Sequence, residues 1–364
     1  MESSTETIAG DRDMVFQELL NQIKPADKQA YEACVTRFNA VAKPVGSLGK
    51  LETLLERVAA IYGDPFIDVD KKCVLVFCGD NGVLAQGVAQ STSDVTTAIG
   101  RSMAAGTASV CVMAKACGAD VFPIDMGMKE KVSDLLDCRL GDGTEDISCG
   151  PAMSRAAAEQ GILTGMELVR QRKEEGYRII ATGEAGIGNT TTSSAIVSVL
   201  LNRPVEAVTG RGSGLTDEGL QRKQRAIKAA IEINQPNATD PLDVLSKLGG
   251  FDIAGMTGAF LGGALYHVPI VMDGFISAVA ALLAVRLCPA VRDYVLPSHI
   301  TAEPAGVMLM EELGFAPLIH GDLRLGEGTG AVALFPMLDL AAAVYHHAAT
   351  FTDIKVEAYK PWAR

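Results

Sequence analysis

The sequence predicts a layered α/β protein built on a mainly parallel sheet, and three observations predict it. Apolar, β-branched runs that end in glycine and a polar residue recur along the chain, beginning with CVLVFCGD, Cys73 to Asp80. Helical patterns separate these runs, so the connections are crossovers, which join parallel strands. Glycine is frequent, 37 of 364 residues, while aromatics make only 5%, so Ala, Val, Leu, Ile and Met must build a closely packed core.

The elements follow in order. Met1 to Asp13 is polar and acidic, with neither a basic n-region nor an apolar h-region, so no signal peptide is expected. Residues 14 to 62 read as two or three helices, with Leu51, Leu54, Leu55 and Val58 at helical spacing. The segment KPVGSLGKLE, Lys43 to Glu52, breaks them, and Ser47 is a candidate cap for the helix that follows. Strands are expected within Cys73 to Asp80, Ala119 to Gly127, Tyr177 to Gly186, His267 to Phe275 and Asp293 to His299. Helices are expected over Val95 to Lys115, Arg155 to Glu175 and Asp217 to Asn234. A last apolar helix, Val332 to Tyr345, is expected to pack with the N-terminal helices. The division is therefore a small helical subdomain, residues 1–70 plus 331–364, and an α/β core, residues 71–330.

Ligands of parallel sheets sit outside the carboxyl ends of the strands. Here those ends carry Asp80, Asp125, Glu184, Asp273 and Ser298. Lys and Arg number 32 against 44 Asp and Glu, a net charge of −12, which argues against nucleic-acid or anionic-membrane partners. An anionic ligand remains open, because backbone N–H groups create local positive sites. The longest apolar stretch, Ile276 to Val285, has about half the length a bilayer needs, so a soluble, cytoplasmic protein is expected. The eight cysteines form no CxxC and read as reduced, buried thiols, and neither they nor the histidines show a metal-ligand spacing.

Five motifs carry chemistry. GEAGIGNTTT, Gly183 to Thr192, follows a strand and opens a helix. Gly186 and Gly188 permit close backbone approach, and Asn189 to Thr192 supply donors at a helix N-terminus, which makes an anion cradle. It lacks the GK[ST] of a nucleotide P-loop and the spacing of a dinucleotide GxGxxG. The bland alternative is a glycine-rich turn with a threonine cap. TGRGSGL, Thr209 to Leu215, is a second candidate nest around Arg211 and Ser213, with Arg211 free to pair with a phosphate or an acidic neighbour. Lys223, downstream on a helix, is either a partner for a site carboxylate or a solvated lysine. RLGEGTGA, Arg324 to Ala331, frames Glu327 between glycines, where a partly buried carboxylate becomes a proton acceptor near neutral pH; an acidic loop tip is the alternative. GDNGVLAQGVAQSTSDVT, Gly79 to Thr96, feeds a helix capped by Ser93 or Asp94. SHITAEP, Ser298 to Pro304, offers His299, Thr301 and Glu303. For these last two, a capped loop and a ligand contact are equal readings. Two anion loops and one framed carboxylate fit transfer of a phosphorylated sugar.

The segments KPVGSLGKLE, GDNGV, GEAGIGNTTT, GRGSGL, GGFDIAGMTGA, VMDGFI, SHITAEP and LGEGTGA stand in the order found in one family. Over residues 40 to 345 the chain resembles nicotinate-nucleotide:dimethylbenzimidazole phosphoribosyltransferases. The resemblance implies a three-layer parallel α/β core, a helical domain from both chain ends, and pairing as a dimer. It implies transfer of 5-phosphoribosyl from nicotinate mononucleotide to an aromatic base for a cobamide lower ligand, without cofactor or metal. The implied catalytic carboxylates are Glu327 and Glu184. The implied phosphate and ribose contacts are Gly186, Gly188, Asn189, Thr190, the run Gly210, Arg211, Gly212, Ser213 and Gly214, then Lys223 and Thr301. The implied acceptor pocket includes Asp80, Asn81, Ser91 and Ser93.

The departures from the family pattern cluster in that pocket. Asn81 stands where the family has His, and Ser91–Thr92–Ser93 stands where it often has Tyr-Pro-Gln; AEPAG replaces AEPGH. Variants of the family that act on phenol and p-cresol work as heterodimers of two similar subunits. The resemblance therefore leaves open a phenolic acceptor, a homodimer or heterodimer, and a weakly catalytic partner subunit.

Overall fold

The computed structural model describes residues 14–359; Met1 to Asp13, and with it the expectation about a signal peptide, lies outside them. Six strands form one sheet: β1 (Lys72–Gly79), β2 (Asp120–Gly127), β3 (Leu136–Asp137), β4 (Ile179–Ala185), β5 (Ile270–Met272) and β6 (Val295–Pro297). Their order is β3-β2-β1-β4-β5-β6, and every pairing is parallel. β1 lies between β2 and β4 and is buried at all eight positions, which is why its sequence is continuously apolar rather than alternating. The strand order reverses between β1 and β4, the place where such sheets open a crevice at their carboxyl ends.

Helices flank the sheet in three layers. Helix Phe251–Tyr266 packs on β1 and against helix Arg155–Glu174, and here the glycines act. A Cβ at Gly165 would overlap the carbonyl of Gly255, and one at Gly258 would overlap that of Ile162, so the two backbones touch. Helices Asp94–Ala104, Ser109–Ala116 and Thr329–His347 pack elsewhere on the sheet. The expected single helix from Val95 to Lys115 is thus two, broken at Gly106, which takes a φ of +71°. The five expected strands are present; β3, two residues long, is the one the sequence did not signal.

Ser47 does not cap helix Lys50–Tyr62. The helix starts from Gly49 at φ +58°, and Glu52 reaches back to accept from the Leu48 N–H at 2.8 Å. The thiols are all unpaired, but only Cys34, Cys73 and Cys78 are buried; Cys149 is exposed on a loop. The two ends of the described chain meet through an antiparallel bridge, Val41 with Thr350, and through Phe38 set edge-on against Tyr345 at 4.9 Å. Buried apolar residues run as one cluster from Phe16 to Tyr345. Among the described residues only helix Thr329–His347 is long and apolar enough to cross a membrane, and over half of it is buried in the protein.

Candidate functional site

A cleft of about 310 Å³ opens at the carboxyl ends of β4, β5 and β6. The residues at and beyond the end of β4 (Glu184 to Thr190), after β5 (Asp273 to Ser277) and after β6 (His299, Thr301, Glu303) form its floor. The segment Arg324 to Glu327 closes one side, and Val88, Ala89, Ser91, Val95 and Ile99 close another with Gly212 and Ser213.

Glu327 sits in a turn where three successive residues have positive φ: Gly326 at +86°, Glu327 at +61° and Gly328 at +89°. A glutamate in the left-handed region is strained by about 1 kcal/mol or more, so surrounding contacts must hold it. They do. A Cβ on Gly183 would collide with the Glu327 carbonyl, and one on Gly328 would lie 2.8 Å from Val74. Glu327 Oε2 accepts from the Val110 N–H at 3.3 Å, at the start of helix Ser109–Ala116. Burial pushes its carboxyl above the usual range, against the Val110 N–H, and the Asp273 charge adds to the rise.

Glu184 ends β4 beside that turn, with Gly326 packed on its carboxylate. Asn189 Nδ2 donates to Glu184 Oε2 and, at 3.0 Å, to Asp252 Oδ2, so one amide bridges two carboxylates. Burial first, and then the Asp252 charge, raise Glu184 to about 8; burial raises Asp252 to about 6. At neutral pH Glu184 is therefore mainly a proton-bearing acid, while Glu327 beside it is half-buried and faces the cleft.

The anion cradle opens helix Asn189–Leu200, whose N-cap is Gly188 at φ +100° with no side chain over the helix end. In its first turn the Asn189 N–H donates to the Gly186 carbonyl at 3.1 Å and the Thr191 N–H to the Gly188 carbonyl at 2.8 Å, so what the helix start brings to the cleft is its positive end, with Gly186 to Thr190 in the lining. Lys223 is fully buried and donates to Thr190 Oγ1 at 2.8 Å; burial lowers it to about 8, and Glu303 opposes that shift. Gly210 packs on the Glu303 carboxylate, which leaves no room for a side chain there.

The structure brings Glu184, Gly186, Gly188, Asn189, Thr190, Gly212, Ser213, Thr301, Glu327 and Ser91 into one lining. Gly210, Gly214 and Lys223 stand behind or beside it. Arg211 turns away: it donates to the Leu215 carbonyl at 2.9 Å and pairs with Asp217, the acidic neighbour of the two partners open to it. Asp80, Asn81 and Ser93 do not wall the cleft as expected. Asn81 is 1% exposed beneath the cradle, its Cβ 3.3 Å from where a Gly188 Cβ would stand. Asp80 accepts from the Lys129 N–H at 2.8 Å, and Ser93 precedes helix Asp94–Ala104 without capping it. For Asp80 and Asn81 the reason is that β1 runs out beneath the loop from β4: a Cβ on Gly186 would overlap the Gly79 carbonyl and lie 3.2 Å from Asn81 Nδ2. His299 and Glu303, which SHITAEP offered as ligand contacts, join the lining; so do Asp273, signalled only as a strand end, and Arg324, which had been assigned no role.

Comparison with known proteins gives one consistent result. A family model described as phosphoribosyltransferase matches residues 23–356. The protein named nicotinate-nucleotide--dimethylbenzimidazole phosphoribosyltransferase in Ruminiclostridium cellulolyticum is 43% identical over 354 residues, covering 96% of this chain and 99% of that one. The protein of the same name in Acetivibrio thermocellus is also 43% identical over 354 residues, with the same coverage. The crystal structure of CobT from Thermus thermophilus superposes with a TM-score of 0.86 at 35% identity, over 90% of this chain and 99% of that one.

Proposed function

This chain belongs to the nicotinate-nucleotide–dimethylbenzimidazole phosphoribosyltransferase family, and from that premise we propose that it moves the 5-phosphoribosyl group of nicotinate mononucleotide to dimethylbenzimidazole. The products are nicotinate and the α-ribotide used as a cobamide lower ligand. The observation that carries this reading is Glu327, a half-buried carboxylate held in a left-handed turn across the cleft from a helix N-terminus.

The phosphate takes the cradle at Gly186 to Thr190, where the positive helix end matches its charge. Lys223 holds Thr190 from behind and adds positive charge. The bond from the anomeric carbon to the pyridinium nitrogen breaks, and its electron pair returns to the nitrogen, so nicotinate leaves. The imine-type nitrogen of the acceptor forms the new bond from the opposite face, inverting β to α. The proton on the acceptor's other ring nitrogen passes to Glu327. Glu184, holding its proton near neutral pH, donates a hydrogen bond within the cleft without adding a second negative charge beside the base. Positioning and charge placement supply the rest of the acceleration. No step is routed through a metal or cofactor.

A second reading concerns the acceptor. Ser91 lines the cleft with Val88, Ala89 and Ile99, so a small hydroxyl residue replaces the aromatic type usual there. This favours phenol or p-cresol, whose O–H also needs a base; the dimer, of two copies or with a similar sister subunit, rests on the family resemblance alone. We read the protein as a cytoplasmic enzyme. The purified chain should release nicotinate from nicotinate mononucleotide when dimethylbenzimidazole or phenol is added, with products separated by chromatography. Release with phenol alone would assign the second acceptor. No release with either by the chain alone, with release restored by a sister subunit, would make the chain a partner subunit; no release even then would overturn the transferase reading.

A further inference from the structure

Asp273 is 4% exposed at the end of β5, in a motif to which the reaction above gives no task. Its two carboxylate oxygens are both spent on the backbone that follows Glu327. Oδ2 accepts from the Gly328 N–H at 3.2 Å, and Oδ1 accepts from the Ala331 N–H at 3.0 Å. Helix Thr329–His347 has no side-chain cap of its own, since its N-cap is Gly328. Asp273 supplies that cap from another strand, and a carboxylate suits the positive helix end.

His299, 3% exposed after β6, supports the same turn from beneath. A Cβ at Gly330 would overlap its ring and come within 2.9 Å of Asp273 Oδ1, so ring, carboxylate and helix start are in contact. The ring shares a 2.9 Å hydrogen bond between Nδ1 and Ser298 Oγ, which sets its plane. The strained Glu327 therefore stands on a helix whose first turn is tied by Asp273 and seated on His299.

We propose that Asp273, backed by His299, is a positioning residue that fixes the Gly326–Glu327–Gly328 turn and so aims the base into the cleft. The proposal rests on Glu327 being the base. Asp273 acts through hydrogen bonds to Gly328 and Ala331 and through its charge beside Glu327. Four titratable groups bear on Glu327: Asp273 after β5, Glu184 on β4 and Cys111 on helix Ser109–Ala116 directly, and His299 through Asp273. Asp273 raises the Glu327 carboxyl; its removal lets Glu327 ionise more readily, which moves the acid limb of the kcat profile to lower pH.

The test compares Asp273→Asn, Glu327→Gln and the double variant, each with a melting curve to verify folding. Asp273→Asn keeps one carbonyl oxygen for the backbone and loses the charge. It should lower kcat about tenfold, leave KM for nicotinate mononucleotide within about twofold, and shift the acid limb downward. His299→Asn should lower kcat by a smaller factor, since it removes only the seat. The double variant should be no slower than Glu327→Gln alone, because residues acting as one unit are non-additive. Full additivity, an unmoved acid limb or wild-type kcat in folded Asp273→Asn would overturn the positioning role. Wild-type kcat in Glu327→Gln would instead overturn the base assignment on which the role rests.

Discussion

Glu327 is the one non-glycine residue in its run of three positive-φ positions, and the cost of that conformation is what makes its carboxylate directional. Replacing it with Gln keeps size and hydrogen bonding but removes the proton acceptor. Glu327→Gln should retain nicotinate mononucleotide binding by calorimetry and lose about 10²–10⁴ in turnover, the range of a general base. Glu184 makes a different, thermodynamic prediction. Its carboxyl rises from an ordinary 4.5 to about 8 in the folded protein. Below the lower value both states hold the proton. Between the two values the folded protein keeps a proton that the unfolded chain releases, so stability is lost as pH rises through that window, by up to about 1.4 kcal/mol per pH unit. Thermal melts from pH 5 to 8 should show a flatter slope for Glu184→Gln than for the wild type. Parallel slopes would mean that Glu184 is ionised in the folded state.

At the scale of elements, the cradle joins a loop that needs glycine to a helix end that needs an anion. Gly188 takes a φ of +100°, so a β-branched residue there is strained whatever space it finds, and its Cβ would press on Asn81 at 3.3 Å. Gly188→Val should weaken nicotinate mononucleotide binding at least tenfold by calorimetry while the acceptor-side residues are untouched; unchanged affinity in a folded variant would make the loop structural. This is also the scale at which sequence legibility divides. The helix Asp217–Asn234 was legible to the residue because local chemistry bounds it: Thr216 caps it by accepting from the Gly219 N–H at 3.2 Å. The GEAGIGNTTT and LGEGTGA loops were legible for the same reason, as their glycines and carboxylates are neighbours in sequence. β3 is too short to leave a pattern. Asp273 was visible only as a strand end, since its partners Gly328 and Ala331 lie more than fifty residues onward. Asn81 was placed in the acceptor pocket by the resemblance, and nothing local announces that the chain there turns beneath a loop from another strand.

Across the whole molecule, helix Thr329–His347 connects the strained turn to the residues that join the two chain ends. It starts two residues after Glu327, carries Asp339 at 2.7 Å from the buried Lys72 at the start of β1, and ends with Tyr345 against Phe38. Helix Lys28–Ala40 and helix Lys50–Tyr62 thus anchor the far end of the rod whose near end holds the base. Phe38 is 1% exposed, flanked by the Tyr345 ring and by the Lys43 ammonium at 5.4 Å, so its removal leaves a cavity that its neighbours can only partly fill. Phe38→Ala should cost about 3–5 kcal/mol, the usual penalty for a large aromatic removed from a core. It lowers the melting midpoint and the urea midpoint together, because the buried cluster is continuous from the N-terminal helices into the sheet. Phe38 does not line the cleft, so KM for nicotinate mononucleotide should stay at its wild-type value at temperatures where the variant is folded. A second, lower-temperature transition in Phe38→Ala, with the main midpoint unmoved, would show instead that the end helices unfold as a unit of their own, and that the base is held by the sheet and Asp273 without them.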